Sequence, residues 1–139
     1  MSPVVQESVR IPASLDELSG VHTWARERME TAEVPHPLRH NVLLALSESV
    51  TNAIRHGAGE DPINTVLIEC TSEPGTIIFG VHDSGKGFSP ETLPDPTEGN
   101  NLTKVGGRGV YLLKSLADAV RFDTSERGTS VRFTFEWNR

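Results

Sequence analysis

Two segments rich in β-branched residues lie close together in the middle of the chain, INTVLIEC at 63–70 and GTIIFGVHD at 75–83. The turn signal Ser72-Glu73-Pro74-Gly75 joins them, and a connection this short permits only an antiparallel pair of strands. A second such pair, VRFDTSERGTSVRFTFEW, ends the sequence. Its last strand has apolar residues at alternate positions: Val131, Phe133, Phe135 and Trp137. These two hairpins constrain the chain to a fold built on a largely antiparallel sheet.

The remaining periodic segments predict one more strand and three helices. VVQESVRI (4–11) alternates as a half-buried strand does, and Ser14 and Glu17 have capping-box spacing at the start of a first helix. Pro37 suits the first turn of a second helix, which runs to about His56. The segment GVYLLKSLADAV (109–120) carries an apolar stripe typical of a third. We therefore expect an α+β two-layer sandwich, with about three helices covering one face of a mixed, mostly antiparallel sheet.

Composition narrows the class of protein. Hydrophobic residues make up 36% and charged residues 23% of the 139 positions, which indicates a globular chain of one domain, 1–139. The net charge of −6 argues against nucleic acid as the main partner. Cys70 is the only cysteine, so a disulfide framework is excluded and a zinc cluster is disfavoured. No secretory signal and no membrane-spanning run is present, so we expect a cytoplasmic protein with no membrane partner.

The second predicted helix carries an unusual row of polar residues. Glu48, Asn52 and His56 follow one another at intervals of four, which places them along one helical face. An Asn amide oxygen suits Mg²⁺ held beside phosphates, and a carboxylate one turn away can orient or deprotonate a hydroxyl. A solvated polar face is the alternative explanation.

Two glycine-rich segments also have a chemical interpretation. In VHDSGKGF (81–88), Asp83 ends an apolar strand, where a bound amino group such as that of adenine would pair it, and Gly85 and Gly87 would let a flat base approach the backbone. A simple Asx turn is the alternative there. In GGRGVYLLKSLAD (106–118), glycines at a helix start expose N–H groups that suit phosphate, and a flexible joining loop is the alternative.

The order of these motifs, followed by Gly128-Thr129, resembles that of the GHKL (Bergerat-fold) ATPases, over essentially the whole chain. Within that superfamily the segments LSESVTNAIRHG, HDSGKGF and GGRGVYLLKSLAD are most similar to the anti-sigma factor serine kinases of the RsbW/SpoIIAB type. No P-loop and no complete G-x-G-x-x-G occurs, and neither does a zinc-protease or serine-hydrolase motif. The resemblance therefore carries the functional expectation.

The resemblance implies a role for each matching residue. Glu48 would be the catalytic base or orienting group, and Asn52 would be the Mg²⁺ ligand at the ATP phosphates. Asp83 would accept a hydrogen bond from the adenine amine. The other implied ATP-binding residues are Gly85, Gly87, Gly107, Arg108, Gly109 and Thr129. Residues 89–106 would form an ATP lid, while His56, Lys86 and Lys104 receive no assigned role.

The family also implies protein partners. Its members phosphorylate a serine on a STAS-domain antagonist, bind a sigma factor, and form homodimers. An alternative is a nucleotide-binding module that sequesters a partner without phosphoryl transfer, and a structural domain with coincidental glycines is a third possibility. Glu48 separates the first two, since nucleotide binding alone requires Asn52 and Asp83 but no base.

Overall fold

The computed structural model describes residues 4–57, 61, 63–83, 107–125 and 128–137. Within them, five strands form one sheet in the order β1-β2-β3-β5-β4, and every neighbouring pair is antiparallel. The strands are β1 (Val5–Pro12), β2 (Thr65–Glu73), β3 (Thr76–Asp83), β4 (Ala119–Ser125) and β5 (Gly128–Glu136). The two predicted hairpins are β2–β3 and β4–β5, and β5 lies beside β3 at the centre of the sheet.

Three α-helices form the second layer. A 3₁₀ turn (Leu15–Glu17) leads into α1 (Leu18–Thr31), which is followed by α2 (His36–Asn52) and later by α3 (Gly107–Leu116). α2 contacts α1 on one side and α3 on the other. Of the helices that the structure describes, none is both long and apolar enough to cross a membrane.

The core lies between the helices and one face of the sheet. Alternate residues of β2, β3 and β5 are buried, as the period of a strand requires. Phe79 and Phe133 are opposite each other in the β3–β5 register, and their rings stack with centroids 5.8 Å apart. Trp24 of α1 meets Phe79 edge to face at 6.3 Å. The predicted α+β sandwich is therefore confirmed, with a sheet that is antiparallel throughout the described strands rather than mixed.

One predicted helix changes type and another ends earlier than predicted. The second helix does extend to about His56, but α2 ends at Asn52 and the last five residues form a π turn (Ala53–Gly57). The third helix ends at Leu116, so Val120 belongs to β4 and not to a helical stripe. Asp118 explains this end: its N–H donates to the Thr134 carbonyl at 2.9 Å, and its carboxylate accepts the Glu136 N–H at 2.8 Å. These bonds tie the chain to β5 and start a new strand.

A histidine joins α1 to α2. Nε2 of His22 lies 2.5 Å from the hydroxyl of Ser47, the residue before Glu48. Burial lowers the pKa of His22 from its ordinary value of 6.5, and the nearby Arg26 lowers it further. The folded protein therefore disfavours the charged imidazole.

This histidine predicts a pH dependence of stability. Because its pKa is lower in the folded than in the unfolded chain, the unfolded chain takes up the proton more readily, and the free energy of unfolding falls as the pH drops below about 6.5. Replacing His22 by Gln keeps a hydrogen-bonding group but removes the titration. We expect His22→Gln to lose less stability than the wild type in urea unfolding between pH 7.5 and 5.5. His40→Gln, at an exposed position of α2, is the matched control, and equal slopes for His22→Gln and the wild type would contradict the prediction.

Candidate functional site

A cavity lies where α2 and α3 meet the central strands. It is partly open to solvent. Its lining combines apolar walls with a few polar groups: Ser49, Asn52, Ala53, Val81, Asp83, Leu113, Phe122, Thr129 and Val131. Three residues predicted from the sequence as functional, Asn52, Asp83 and Thr129, thus come together in one cavity.

Asp83 is placed by the alternation of β3. Phe79 and Val81 point toward the helices, and Asp83 is the next residue on that face and the last of the strand. Its side chain is buried, with only 7% of the residue exposed. Burying a carboxylate in apolar surroundings costs free energy unless polar partners compensate. As a hydrogen-bond acceptor in the cavity wall, the carboxylate is suited to a ligand that donates a hydrogen bond.

Gly128 brings β5 against Asp83. It has a φ of +137°, and a Cβ added to it would lie 2.0 Å from the Asp83 carbonyl oxygen and 3.1 Å from its side-chain Oδ1. Only glycine fits such an approach without displacing the other strand. Thr129 is the next residue and is only 6% exposed. Because the strands approach closely at Gly128, its side chain lies in the cavity wall with Asp83.

The end of α2 places Asn52. Ser49 is buried, and its hydroxyl donates to the Ala45 carbonyl at 2.9 Å, within the last turns of the helix. The Ala53 N–H is shared between the Ser49 and Val50 carbonyls, and from there the chain continues as the π turn, which contacts β3 and β5. Single π turns occur often at functional sites because they redirect the side chains around them. Here the change of helix type coincides with the wall of the cavity.

Glu48 lies at a different place from Asn52. It is half-buried on α2, one turn or about 6 Å of helix rise before Asn52, and it is not among the residues that line the cavity. Asn52 therefore lies in the cavity wall, and Glu48 lies on the helix surface next to it.

The glycines at 107 and 109 form the first turn of α3. Leu113 lines the cavity, and Gly109 lies one turn earlier on the same helical face. The first turn of α3, which carries the positive end of the helix dipole, therefore lies one turn before a residue of the cavity wall. The side chains of Arg108 and His56 are outside the described part of the structure, as are Gly85, Gly87, Lys86, Lys104 and the predicted lid at 89–106, so these predictions stay predictions.

The lining is mostly apolar with a few polar groups, which is the composition typical of small-molecule sites. Val81, Leu113 and Phe122 supply apolar surface, and Asp83 and Thr129 supply polar groups. Among the described residues no group of three or more His, Cys, Asp or Glu side chains forms a metal site. A single amide ligand at Asn52 fits Mg²⁺, which usually takes few protein ligands and completes its shell with phosphate and water.

The sequence assigned no site role to six of the nine lining residues, and Ser49 and Phe122 show why. Ser49 lies three residues before Asn52 and so shares a helical face with it, which is a signal that the sequence does contain. Phe122 carried no local signal, because its position depends on where α3 ends and β4 begins.

The contact between Gly128 and Asp83 gives a prediction for stability. Gly128→Ala would force a side chain into the Asp83 carbonyl and a non-glycine residue into positive φ. We expect the free energy of unfolding to fall by about 1–3 kcal/mol or more, measured by urea denaturation. Gly20→Ala is the matched control. A Cβ at that α1 position meets no atom within 4 Å, so this change is expected to raise stability by about 0.5–1 kcal/mol. Equal effects at the two sites would contradict the structure.

Comparison with known proteins agrees with this geometry. Residues 11–135 match the family model described as histidine kinase-like ATPase domain. The serine-protein kinase RsbW of Staphylococcus aureus is 27% identical over 135 residues, which is 91% of this chain and 83% of the relative.

Solved structures show the same fold. The RsbU and RsbW domains of Rv1364c from Mycobacterium tuberculosis align with a TM-score of 0.68 at 18% identity, over 99% of this chain and 34% of that longer one. The histidine kinase domain of the blue-light activated kinase from Erythrobacter litoralis EL346 aligns with a TM-score of 0.58 at 20% identity, over 91% of this chain and 61% of that one. The resemblance drawn from the motifs is thereby confirmed, and the chain belongs to the histidine kinase-like ATPase domain family.

Proposed function

We propose that this chain is an ATP-dependent protein-serine kinase that regulates partner proteins by binding and phosphorylation. The observation that carries the proposal is the convergence of Asn52, Asp83 and Thr129 on one cavity of a histidine kinase-like ATPase domain. The similarity to a protein named serine-protein kinase supports the same reaction.

Asp83 would select the base. Its buried carboxylate accepts a hydrogen bond from the exocyclic amine of adenine, and Thr129 supports the same edge, directly or through water. Guanine has a carbonyl oxygen where adenine has that amine, so it would leave the carboxylate facing an acceptor. The apolar residues of the walls would hold the two faces of the ring.

Asn52 and the first turn of α3 would hold the triphosphate end. Bound Mg²⁺ supplies charge stabilisation of the transferring phosphoryl group. The Asn52 amide oxygen would be the ligand for that ion, and the N–H groups at Gly107 and Gly109, in the first turn of α3, would bind phosphate oxygens. Glu48, beside the cavity, would orient or deprotonate the acceptor hydroxyl of a protein serine.

The partners in the proposal come from the family resemblance. They are a STAS-domain antagonist as phosphoryl acceptor, a sigma factor as a second binding partner, and a second copy of the chain in a homodimer. A single regulator would then exchange partners according to their phosphorylation.

A binding module without transfer is the second candidate. The position of Glu48 outside the lined cavity favours it, because the cavity can bind a nucleotide without this residue. In that case the chain would sequester a partner in a nucleotide-dependent way. Glu48 would then be replaceable with no loss of function.

Phosphoryl transfer to a protein can be measured directly. We expect a STAS-domain protein from the same genome, incubated with this chain and Mg·ATP, to gain one phosphoryl group in intact-mass spectrometry. Glu48→Ala should lower the transfer rate at least about 100-fold, the contribution typical of a positioned acid or base, and leave ATP affinity within about twofold. Glu27→Ala, an exposed carboxylate on α1, is the control. No transfer by the wild type to any such acceptor, with ATP still bound, would favour the binding module.

Recognition of adenine by Asp83 can be tested by substitution. Asp83→Asn is expected to raise the Kd for ATP by about 10- to 100-fold, because a hydrogen bond to a charged group is lost. Isothermal titration calorimetry with ATP and GTP measures both affinities. Asp16→Asn changes an exposed carboxylate in the 3₁₀ turn, at a distance from the cavity in the fold, and should change neither. Unaltered ATP affinity in folded Asp83→Asn would refute adenine recognition by this residue.

A further inference from the structure

Three polar side chains connect across the face of the sheet that the helices leave uncovered. Nδ1 of His82 lies 2.6 Å from the Ser130 hydroxyl, and Nε2 lies 2.5 Å from a carboxylate oxygen of Glu69. The first contact is a hydrogen bond. The second has the distance of an ion pair without the alignment of a hydrogen bond. The connection spans three adjacent strands: β2, β3 and β5.

A glycine makes room for this arrangement. Glu69 is opposite Gly80 in the β2–β3 register, so the His82 ring must lean back over Gly80 to reach it. A Cβ at Gly80 would lie 3.0 Å from Nε2 of His82 and 3.7 Å from Nε of Arg132. Glycine within a strand is unfavourable and often marks a close approach. Here it leaves the space that the imidazole occupies.

The connection lies directly behind the cavity. His82 and Ser130 form the last registered pair between β3 and β5 before the ladder ends. Their neighbours along the chain, Asp83 and Thr129, point to the opposite face and line the cavity. Holding the side chains of the last pair together therefore limits separation of the two strand ends that carry the pocket groups.

The same three residue types form the relay of serine hydrolases, but this arrangement lacks other requirements of such a site. None of the three side chains lines the cavity. The N–H groups around Ser130 belong to the ladders that β5 shares with β3 and β4, so they point along the sheet and not toward an oxyanion above it. The arrangement is better suited to fixing strand positions than to acyl transfer.

We propose that Glu69, His82 and Ser130 are positioning residues for nucleotide selectivity. By fixing the ends of β3 and β5 from the reverse face, they set the separation between the Asp83 carboxylate and the Thr129 side chain, and through it the match to the adenine edge. The inference rests on the proposed role of the cavity as an adenine site. It adds a structural determinant of selectivity that does not touch the ligand.

The test compares ATP and GTP affinities in variants of the full chain. For Ser130→Ala and His82→Leu we expect the Kd for Mg·ATP to rise about 3- to 10-fold, the range for one lost hydrogen bond, with the Kd for Mg·GTP unchanged. Gly80→Ala should act in the same direction by displacing the imidazole from Glu69. Ser130→Thr, which keeps the hydroxyl, should restore the wild-type ratio. Thr134→Ala, on the same face of β5 but opposite Ile78, is the control.

A loss of fold alone would lower both affinities together through the fraction of active protein, so the ATP-to-GTP ratio separates positioning from general destabilisation. Amide hydrogen exchange provides a second readout. We expect faster exchange at Asp83 and Thr129 in Ser130→Ala, and not in Thr134→Ala. If the wild type prefers ATP and folded Ser130→Ala and His82→Leu keep the full preference, the inference is wrong while the proposed function stands. If the wild type binds neither nucleotide, the proposed function is wrong and the inference falls with it.

Discussion

The site depends on the register of β3 within the sheet. Side chains of this strand alternate between the faces, so Phe79, Val81 and Asp83 point to the helices while Gly80 and His82 point away. A slip of one residue would turn Asp83 to the open face and place an imidazole in the cavity. Strands on both sides hold the register, since Val66 pairs with Asp83 from β2 and Phe133 pairs with Phe79 from β5. The aromatic core and the polar pocket are thus fixed by the same pairing.

The backbone at the end of β5 adds a constraint of a different kind. Gly128 allows the chain to lie directly against the Asp83 carbonyl, which no residue with a Cβ would permit. The close approach brings Thr129 next to Asp83 although the two lie on different hairpins. On the helical side, the π turn after Asn52 packs on the same two strands. The backbones of β3, β5 and the π turn therefore meet at the cavity, and their geometry places the polar side chains there.

The strands of the sheet could be predicted because their signals lie in short stretches of the sequence. β-branched composition in 63–83 and alternation in the last strand predicted these strands. Asn52 and Asp83 were predicted from local motifs, and Thr129 from the family resemblance. The helix ends were not predictable in the same way, because Leu116 is the last residue of α3 on account of bonds from Asp118 to a distant strand. The π turn and the lining roles of Ser49 and Phe122 likewise depend on packing between elements. The Gly80 position acquires its meaning only when the His82 ring is seen above it.

In the proposed function, recognition of the base and the place of transfer would lie apart. Asp83 lies at the buried end of a strand, whereas Glu48 lies on α2 beyond the cavity wall, with Asn52 between them. The base would then be held at a distance from the reacting phosphate, and the free energy of binding the base would orient that remote group. That orientation is only as accurate as the rigid elements connecting the two ends. The polar connection of Glu69, His82 and Ser130 on the reverse of the sheet would then influence transfer without touching the ligand, because it holds together the ends of β3 and β5 that carry Asp83 and Thr129.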